Sequence, residues 1–366
     1  GAFMPSVDLS YSYAKSSEQA FGSLDETSSM SISASYNLFS GMSDYYGMHA
    51  AEAGAEAAKY KETSELSDLI YNSKVAYTSV LSAESAVQTL AEAVELLERQ
   101  TYESSLYYEQ GLIAKNDLLK MEVELSSTRH DMLQAEGNLR LARSNLEKVI
   151  GRPLGGDEII EDYTVLPYFA VLTYEALKDE MTAGRSELRQ LRLLGEAQRN
   201  TMKASKGSYW PSVDVSVAYN TFGDDFNPTG RQTSYDSESR TMLTASWNLF
   251  DGFTKYSGTN KARYELTAIE EQYLETEKEL LHQLRMAIEQ YTIAEGKLMV
   301  ARTSISQAEE NYRVTELQFR ERVSTSTDMI LARSQLTRAK NQLSSARYDL
   351  YNAAALIERI TERPSN

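Results

Sequence analysis

Cysteine is absent from this 366-residue chain, so disulfides, thiolate metal sites and a cysteine nucleophile are excluded. The 6 prolines and 18 glycines are few for a loop-rich β protein and ordinary for a helix-rich one. No run of eighteen apolar residues occurs, so the sequence predicts no membrane-spanning helix. Basic residues are also in the minority, with 37 Lys and Arg against 53 Asp and Glu, a net charge of −16. This balance disfavours nucleic acid as a partner, because a polyanion needs a net basic surface.

Signatures of catalysis are lacking as well. The three histidines, His49, His130 and His282, each stand alone within a helical pattern. No metal-ligand spacing and no Gly-rich phosphate loop accompanies them. We therefore expect no enzyme activity, no cofactor and no bound metal.

What the chain does contain is an internal repeat. Residues 35–41 read SYNLFSG and residues 246–252 read SWNLFDG, 211 positions further on. Residues 5–8 read PSVD, and the same tetrapeptide returns at 211–214, an offset of 206. The five-residue difference places the extra residues in the polar loop of the second repeat. Matches at consistent offsets predict a duplicated architecture.

Each repeat carries two runs in which apolar and small polar residues alternate, the pattern of half-buried β-strands. Runs of about ten residues suit tilted strands that cross a bilayer, joined by polar external loops. Aromatic residues lie near the strand ends, where membrane-interface positions are predicted for Tyr36, Phe39, Trp247 and Phe250. Tyr36 and Trp247 have an alternative role as core residues at the strand-to-helix junction. The alternating apolar positions are Val7, Leu9, Tyr11, Tyr13; Met30, Ile32, Ala34, Tyr36, Leu38; Val213, Val215, Val217, Tyr219; and Leu243, Ala245, Trp247, Leu249.

Each repeat also carries two long helical patterns with apolar residues at sustained three-and-four spacing, which indicates coiled-coil packing. A helix over 42–109 would be about 100 Å long at 1.5 Å per residue. Each repeat therefore predicts a long helical hairpin, with its tip near Gly111 or Val323. The seam positions are Val80, Ala83, Val87, Leu90, Val94, Leu97; Leu118, Met121, Leu125, Thr128, Met132, Ala135, Leu139, Ala142, Leu146, Val149; Leu280, Leu284, Ala287, Tyr291, Ala294, Leu298, Ala301, Ile305, Ala308, Tyr312; and Met329, Ala332, Leu336, Ala339, Leu343, Ala346, Leu350, Ala353, Ile357.

The fold class that follows is mainly α with a transmembrane β portion. Four strands cannot close a barrel, and open sheet edges are not tolerated in lipid. Three chains would supply twelve strands, with six helical hairpins forming a tube. The second repeat has a helical lead-in that the first lacks, so we expect that the chain has lost, or does not include, the first repeat's own leading helix. The expected segments are strands and loops at 1–41 and 207–251, helical hairpins at 42–150 and 252–360, a connector at 151–172, the lead-in helix at 173–206 and a tail at 361–366.

The chain resembles the TolC-type outer-membrane efflux protein family, the exit ducts of tripartite efflux pumps and type I secretion systems. The residues that carry the resemblance are the two PSVD strands, the NLFxG turns and the helix end NLEKVIGRP at 145–153. The resemblance implies a homotrimer in the outer membrane with a 12-stranded β-barrel, a helical barrel crossing the periplasm and a belt that includes 151–172. It also implies a periplasmic adaptor protein, an inner-membrane pump of the RND or ABC type, and contact with outer-membrane lipid.

The family pattern places an aspartate just after each hairpin tip, and Asp117 and Asp328 match, again 211 residues apart. The resemblance implies that Asp328 contributes to a carboxylate ring that narrows the pore and binds cations, with Phe319 as a nearby aromatic. Leu331 replaces a second acid, so one ring is expected. Ser324 stands where a bridging arginine would lie, so a gate held by that ion pair is not expected. A second interpretation makes both aspartates helix N-caps.

The resemblance also implies that the adaptor docks on the hairpin tips. The first tip reads Gln110, Gly111, Leu112, close to the family's Gly-Leu tip, and the second reads Arg322, Val323 with arginine in the place of glycine. Gly111 has a simpler role too, because a tight turn with positive φ favours glycine.

One rival class is a soluble coiled-coil scaffold in which the β-like runs have no membrane role. The four amphipathic runs at matching repeat positions argue against it. Among channels, drug, metal and protein export all remain open, because the adaptor and pump would define the cargo and supply the energy for a passive duct.

Overall fold

A computed structural model describes residues 3–16, 25–155, 158, 160–163, 173–231 and 235–362. The chain order repeats one motif of two strands followed by two long helices, with two shorter helices between the repeats. The elements are β1 Ser6–Lys15, β2 Glu26–Phe39, α1 Ser43–Glu109, α2 Lys115–Ile150, α3 Tyr174–Gly184, α4 Ser186–Gly207, β3 Ser212–Gly223, β4 Ser237–Ser246, α5 Thr254–Arg320 and α6 Ser326–Thr361. Helices α1 and α5 have 67 residues each, and α2 and α6 have 36 each. The duplication is therefore confirmed.

The chain divides into two compact units. A sheet unit comprises residues 1–61 and 187–275, and a helical unit comprises residues 62–186 and 276–366. Among the described residues, no helix combines the length and apolarity that crossing a bilayer requires.

The sheet unit contains one antiparallel sheet with strand order β1-β2-β3-β4. Tyr11 pairs with Met30, and Ile32 pairs with Tyr219, so the two hairpins are joined through β2 and β3. The β2–β3 register shifts between Asn37 and Phe39. Strands β1 and β4 form the two outer edges, and neither edge is paired with another described strand of the chain.

The two faces of this sheet differ in polarity. Residues directly opposite each other on neighbouring strands share a face, so the register collects the alternating apolar residues on one side and serine, aspartate and asparagine on the other. The apolar face is solvent-exposed in the single chain, with Leu9 at 69% and Leu243 at 67% exposure. A large exposed apolar surface marks a site that another molecule or a membrane covers.

The helical unit follows the predicted coiled-coil seam. Every seam position is buried or half-buried, and Leu284, Ala287 and Met329 are 0 to 1% exposed. The seam prediction is confirmed because a 3.5-residue repeat keeps one stripe of each helix against its neighbours.

The strand-to-helix turns of the two repeats share an unusual backbone. Gly41 and Met42 have φ of 66° and 67°, and Gly252 and Phe253 have φ of 67° and 70°. Only glycine adopts this left-handed region without a Cβ penalty. The surroundings differ, since a Cβ on Gly41 would lie 2.2 Å from the carbonyl oxygen of Gly207 in α4, whereas nothing lies within 4 Å of one on Gly252.

Two sequence expectations differ from the structure. The lead-in segment 173–206 forms two helices instead of one, because Arg185 is extended at φ −60° and ψ 122°. Its side chain is 3% exposed and donates to the carbonyl oxygens of Arg359 and Ile360 in α6. Strand β4 ends at Ser246, so the predicted strand residues Trp247 and Leu249 lie beyond it.

Parts of three expected segments lie outside the described residues. These are most of the connector 151–172, the end of the tail 361–366, and portions of the external loops at 17–24 and 232–234.

Gly41→Ala tests the close approach at the first turn. We expect a loss of about 3 kcal/mol in unfolding free energy, since the new Cβ combines left-handed strain with overlap against Gly207. The matched variant Gly252→Ala carries the backbone strain alone, so we expect about 1 kcal/mol. Denaturant unfolding of the isolated chain measures both, and equal losses would contradict the prediction.

Candidate functional site at the hairpin tips

The two hairpin tips have the same turn. At the first tip the Gly111 N–H donates to the Tyr108 carbonyl at 2.9 Å, and the Leu112 N–H donates to the Tyr107 carbonyl at 2.8 Å. This pair of bonds is the Schellman motif, which satisfies the last carbonyls of a helix. At the second tip Arg322 and Val323 make the equivalent bonds to Phe319 and Gln318, at 3.0 and 2.8 Å.

Arg322 therefore adopts the glycine position of this motif, with φ 62° against 73° for Gly111. A left-handed conformation costs a residue with a Cβ about 1–2 kcal/mol. The guanidinium carbon of Arg322 lies 5.8 Å from the ring centre of Tyr107 on the first tip, within cation–π range. The replacement of glycine by arginine thus keeps the turn and adds a contact between the tips.

The tips present an exposed surface. Gln110, Gly111, Leu112, Arg322 and Val323 are all exposed, and Val323 retains 75% of its accessible area. The structure brings the two predicted docking tips together, since both contribute to one end of the helical unit through the Arg322–Tyr107 contact.

The two aspartates occupy the third position of their helices instead of the N-cap. Thr325 is the N-cap of α6, and its hydroxyl accepts from the Asp328 N–H at 3.2 Å while the Asp328 carboxylate accepts from the Thr325 N–H at 2.9 Å. This is a capping box. The first repeat has Ala114 at the N-cap, so Asp117 has no such partner and α2 has no side-chain cap. Neither aspartate is therefore the N-cap residue itself, but Asp328 does contribute to capping α6 because its carboxylate accepts the Thr325 N–H.

Electrostatics separate the two aspartates further. Asp117 is half-buried and lies 3.4 Å from the Lys120 ammonium, whose nitrogen also donates to the Thr327 hydroxyl at 3.2 Å. Asp328 is exposed, and no described cation lies within ion-pair distance. Hydrogen bonds from the hydroxyl and the backbone of Thr325 lower the pKa of Asp328 below its usual 3.8. At neutral pH its negative charge is uncompensated and faces solvent.

The other two predicted gate residues lie at the same tip. Phe319 is half-buried, and its carbonyl accepts the turn bond from Arg322. The Ser324 N–H donates to the Gln318 carbonyl at 3.3 Å, while its hydroxyl oxygen is buried with no hydrogen-bond partner among the described residues.

The structure contains a buried polar contact near the tips that the sequence patterns did not predict. Arg333, in the second turn of α6, is 4% exposed and donates from Nη2 to the Gln100 side-chain oxygen of α1. The Gln100 amide nitrogen in turn donates to the Tyr312 hydroxyl of α5 at 3.2 Å. Gln100 thus connects α1 with α5 and α6. Burial lowers the pKa of Arg333 to about 10, and its Nε and Nη1 have no hydrogen-bond partner among the described residues.

A signal for this contact was present in the sequence. Arg333 lies four residues after Met329 and three before Leu336, which places it on the apolar face of α6. An arginine at such a position has to find an acceptor or desolvate without one.

The predicted interface aromatics lie in the sheet unit and are not core residues of the single chain. Trp247 is 61% exposed and donates from Nε1 to the Tyr209 carbonyl at 3.1 Å. Phe250 is 76% exposed, Phe39 is 37% exposed, and Tyr36 is half-buried opposite Val215.

A duplicated hairpin of very long helices joined to a small amphipathic sheet defines the class of outer-membrane channels. The fold matches the Campylobacter jejuni CmeC outer membrane channel with a TM-score of 0.82, covering 98% of this chain and 78% of that one at 13% identity. The outer membrane efflux protein model matches residues 1–152 and 177–361. The chain belongs to this family.

Curated relatives agree with the assignment. The chain is 22% identical to the alkaline protease secretion protein AprF of Pseudomonas aeruginosa over 85% of this chain, and it spans 64% of that protein's length. It is 21% identical to the outer membrane protein TolC of Vibrio cholerae, over 95% of this chain and 80% of that protein.

The TolC-type resemblance seen in the repeats is thereby confirmed. Members of this family are outer-membrane channels that extend into the periplasm, and they are not enzymes. The chain is an outer-membrane protein of this kind, and the soluble-scaffold alternative is not favoured.

Because the Arg333 guanidinium is buried against Gln100, we expect replacement of Gln100 to destabilise the protein more than replacement of Arg333. Gln100→Leu should lower the unfolding free energy by about 2–3 kcal/mol, because it leaves the buried Arg333 guanidinium without its acceptor. Arg333→Met removes the buried charge itself and should change stability by about 1 kcal/mol or less.

Denaturant unfolding of the two single variants and of the combined variant checks this prediction. The combined variant should recover most of the loss of Gln100→Leu. Strictly additive losses would show that the two residues contribute independently.

Proposed function

We propose that three copies of this chain form the passive exit duct of a tripartite efflux or type I secretion system. The sheets close into a twelve-stranded barrel in the outer membrane, and the helical hairpins form a tube in the periplasm. Substrates pass through this duct passively, no reaction is catalysed by the chain, and an inner-membrane pump supplies the energy.

The observation that carries the proposal is the sheet, with one exposed apolar face, one polar face and two unpaired edges. An apolar outer face suits lipid, and a polar inner face suits a water-filled lumen. Unpaired edge groups are not tolerated in the hydrocarbon of a bilayer, so a four-stranded sheet has to continue into other strands. Two further copies supply the additional eight strands, and a closed barrel has no edge.

The gate belongs to the tip of the second repeat. Three copies would bring three uncompensated Asp328 carboxylates around one axis, where like charges narrow the pore electrostatically and attract cations. Asp117 is the weaker candidate, because Lys120 neutralises it within the chain. Phe319 and Ser324 lie beside the same turn and would shape the constriction.

The exposed tip residues are the proposed docking surface for a periplasmic adaptor. Gln110, Gly111 and Leu112 on one tip, with Arg322 and Val323 on the other, form a mixed apolar and basic surface. The adaptor would link the duct to an inner-membrane pump of the RND or ABC type, and these partners would define the cargo.

Arginine substitutions on the two faces of β2 test the membrane role of the sheet. Ile32→Arg places a charge on the lipid face and should weaken outer-membrane assembly by about 2–4 kcal/mol per chain. The next residue, Ser33, lies on the polar face that would line the lumen, so the Ser33→Arg variant should assemble normally.

Detergent extraction and gel analysis of heat-resistant trimers in outer-membrane fractions report the outcome. A soluble monomer or dimer of the unmutated protein would reject the duct. Equal assembly of both variants would reject the assignment of the faces.

Asp328→Asn tests the gate, since it removes the charge and preserves the side chain's shape. We expect a higher single-channel conductance and a several-fold weaker block by divalent cations in planar bilayers, because three carboxylates are lost together. Asp117→Asn is the matched control and should leave both quantities close to their original values. Unchanged conductance and unchanged block in Asp328→Asn would contradict the carboxylate ring.

A further inference from the structure

The two β-hairpins of the sheet are related by constant shifts in residue number. Adding 206 to a residue of β1 and 211 to a residue of β2 gives their counterparts in β3 and β4. The pair Ser6–Ser35 becomes Ser212–Ser246, and the structure has both pairs. The side chains repeat as well, with hydroxyl oxygens 2.7 Å apart in the first pair and 3.5 Å apart in the second.

One pairing in the chain has no counterpart, that between β2 and β3. Adding 211 to the β2 residue numbers and subtracting 206 from the β3 residue numbers converts this pairing into one between β4 and a strand β1. Within one chain β1 and β4 lie at opposite edges of the sheet. The β1 strand that completes the pattern therefore belongs to a second copy of the chain.

The length of β4 supports this reading. Strand β2 begins at Glu26 and β4 begins 211 residues later at Ser237, but β2 ends at Phe39 while β4 ends at Ser246, four residues short of the equivalent position. In β2, residues 36–39 have no partner on β1; Tyr36, Asn37 and Phe39 pair with β3 alone, and Leu38 lies at the register shift. Residues 247–250 lack a strand partner in the single chain, which explains why β4 stops early.

A polar contact gives the interface a specific marker. The Asn37 amide donates to the Asp214 carboxylate at 2.7 Å across β2 and β3. Their counterparts in the second pairing are Asn248 and Asp8. Both side chains are exposed and make no hydrogen bond within the described residues of the chain.

We propose that β4 of one copy pairs antiparallel with β1 of the next in a single register, with Leu243 opposite Tyr13 and Asn248 opposite Asp8 of the second copy. Residues 247–250 become strand on assembly, and the Asn248 amide donates to the Asp8 carboxylate across the subunit boundary. This inference rests on the proposed trimeric duct and adds the residues that join its subunits.

The absence of cysteine makes the register directly testable. The double variant Asp8→Cys with Asn248→Cys, in the full-length protein in outer membranes, should form covalent dimers and trimers on oxidation, seen by non-reducing gel electrophoresis. Directly opposed antiparallel residues have Cα atoms about 4.5–5.5 Å apart, within disulfide range. The pair Ser10→Cys with Asn248→Cys shares the same face but lies two residues out of register, so we expect loss of the covalent ladder.

The internal pair Asn37→Cys with Asp214→Cys is the positive control for this geometry. It should form a disulfide within one chain and give no covalent oligomer.

Hydrogen exchange provides an independent measurement that needs no substitution. The backbone amides of residues 247–250 should exchange more slowly in the detergent-solubilised trimer than in the dissociated chain, because pairing gives them hydrogen-bond partners.

The outcomes separate the two proposals. A heat-resistant trimer in which the Ser10 pair cross-links as well as the Asp8 pair, or in which residues 247–250 gain no protection, overturns the register and leaves the duct standing. The absence of any trimer overturns both.

Discussion

The backbone N–H and C=O groups along the two edges of the sheet govern the architecture of this protein. Four antiparallel strands satisfy each other internally, but the outer groups of β1 and β4 remain unpaired. In water such edges promote association, and in lipid they are not tolerated. The sheet also exposes a continuous apolar face. Together, the open edges and this face are the physical basis of the proposed closed assembly of several copies.

The two repeats share the same order of strands and helices, but they differ at specific residues of their tips. Both tips share one turn, yet the first uses Gly111 and the second uses Arg322, which contacts Tyr107 across the tips. Both α2 and α6 have an aspartate in the first turn, yet only Thr325 completes a capping box with it. Asp117 is neutralised by Lys120, whereas Asp328 keeps its charge. The first repeat thus pairs its tip aspartate with a lysine of the same chain, whereas the second leaves the Asp328 carboxylate exposed to solvent, as the proposed gate requires.

Much of this fold is predictable from the sequence because it depends on short-range periodicity. The coiled-coil seam from Val80 to Ile357 is correct, and so are the alternating strands apart from Trp247 and Leu249, since a helix or strand repeats its environment every few residues. The helix break at Arg185 was not predictable, because its cause is a pair of carbonyl acceptors in α6, more than 170 residues away. The contact between Arg333 and Gln100 was not predictable for the same reason, because its two residues lie in different helices. The N-cap positions belong to Ala114 and Thr325, three residues before the two aspartates.

The duplicated strand-and-hairpin organisation is readable from the sequence alone, because the repeats and their spacings are local and linear. The efflux class came from the resemblance of the repeated motifs to a known family. The strand order, the register that places Asn37 against Asp214 and the early end of β4 become visible only in the fold. These depend on which strands lie side by side, and no periodicity within one strand specifies its neighbour. The distinction between a charged and a neutralised aspartate likewise required the positions of Lys120 and Thr325 in space.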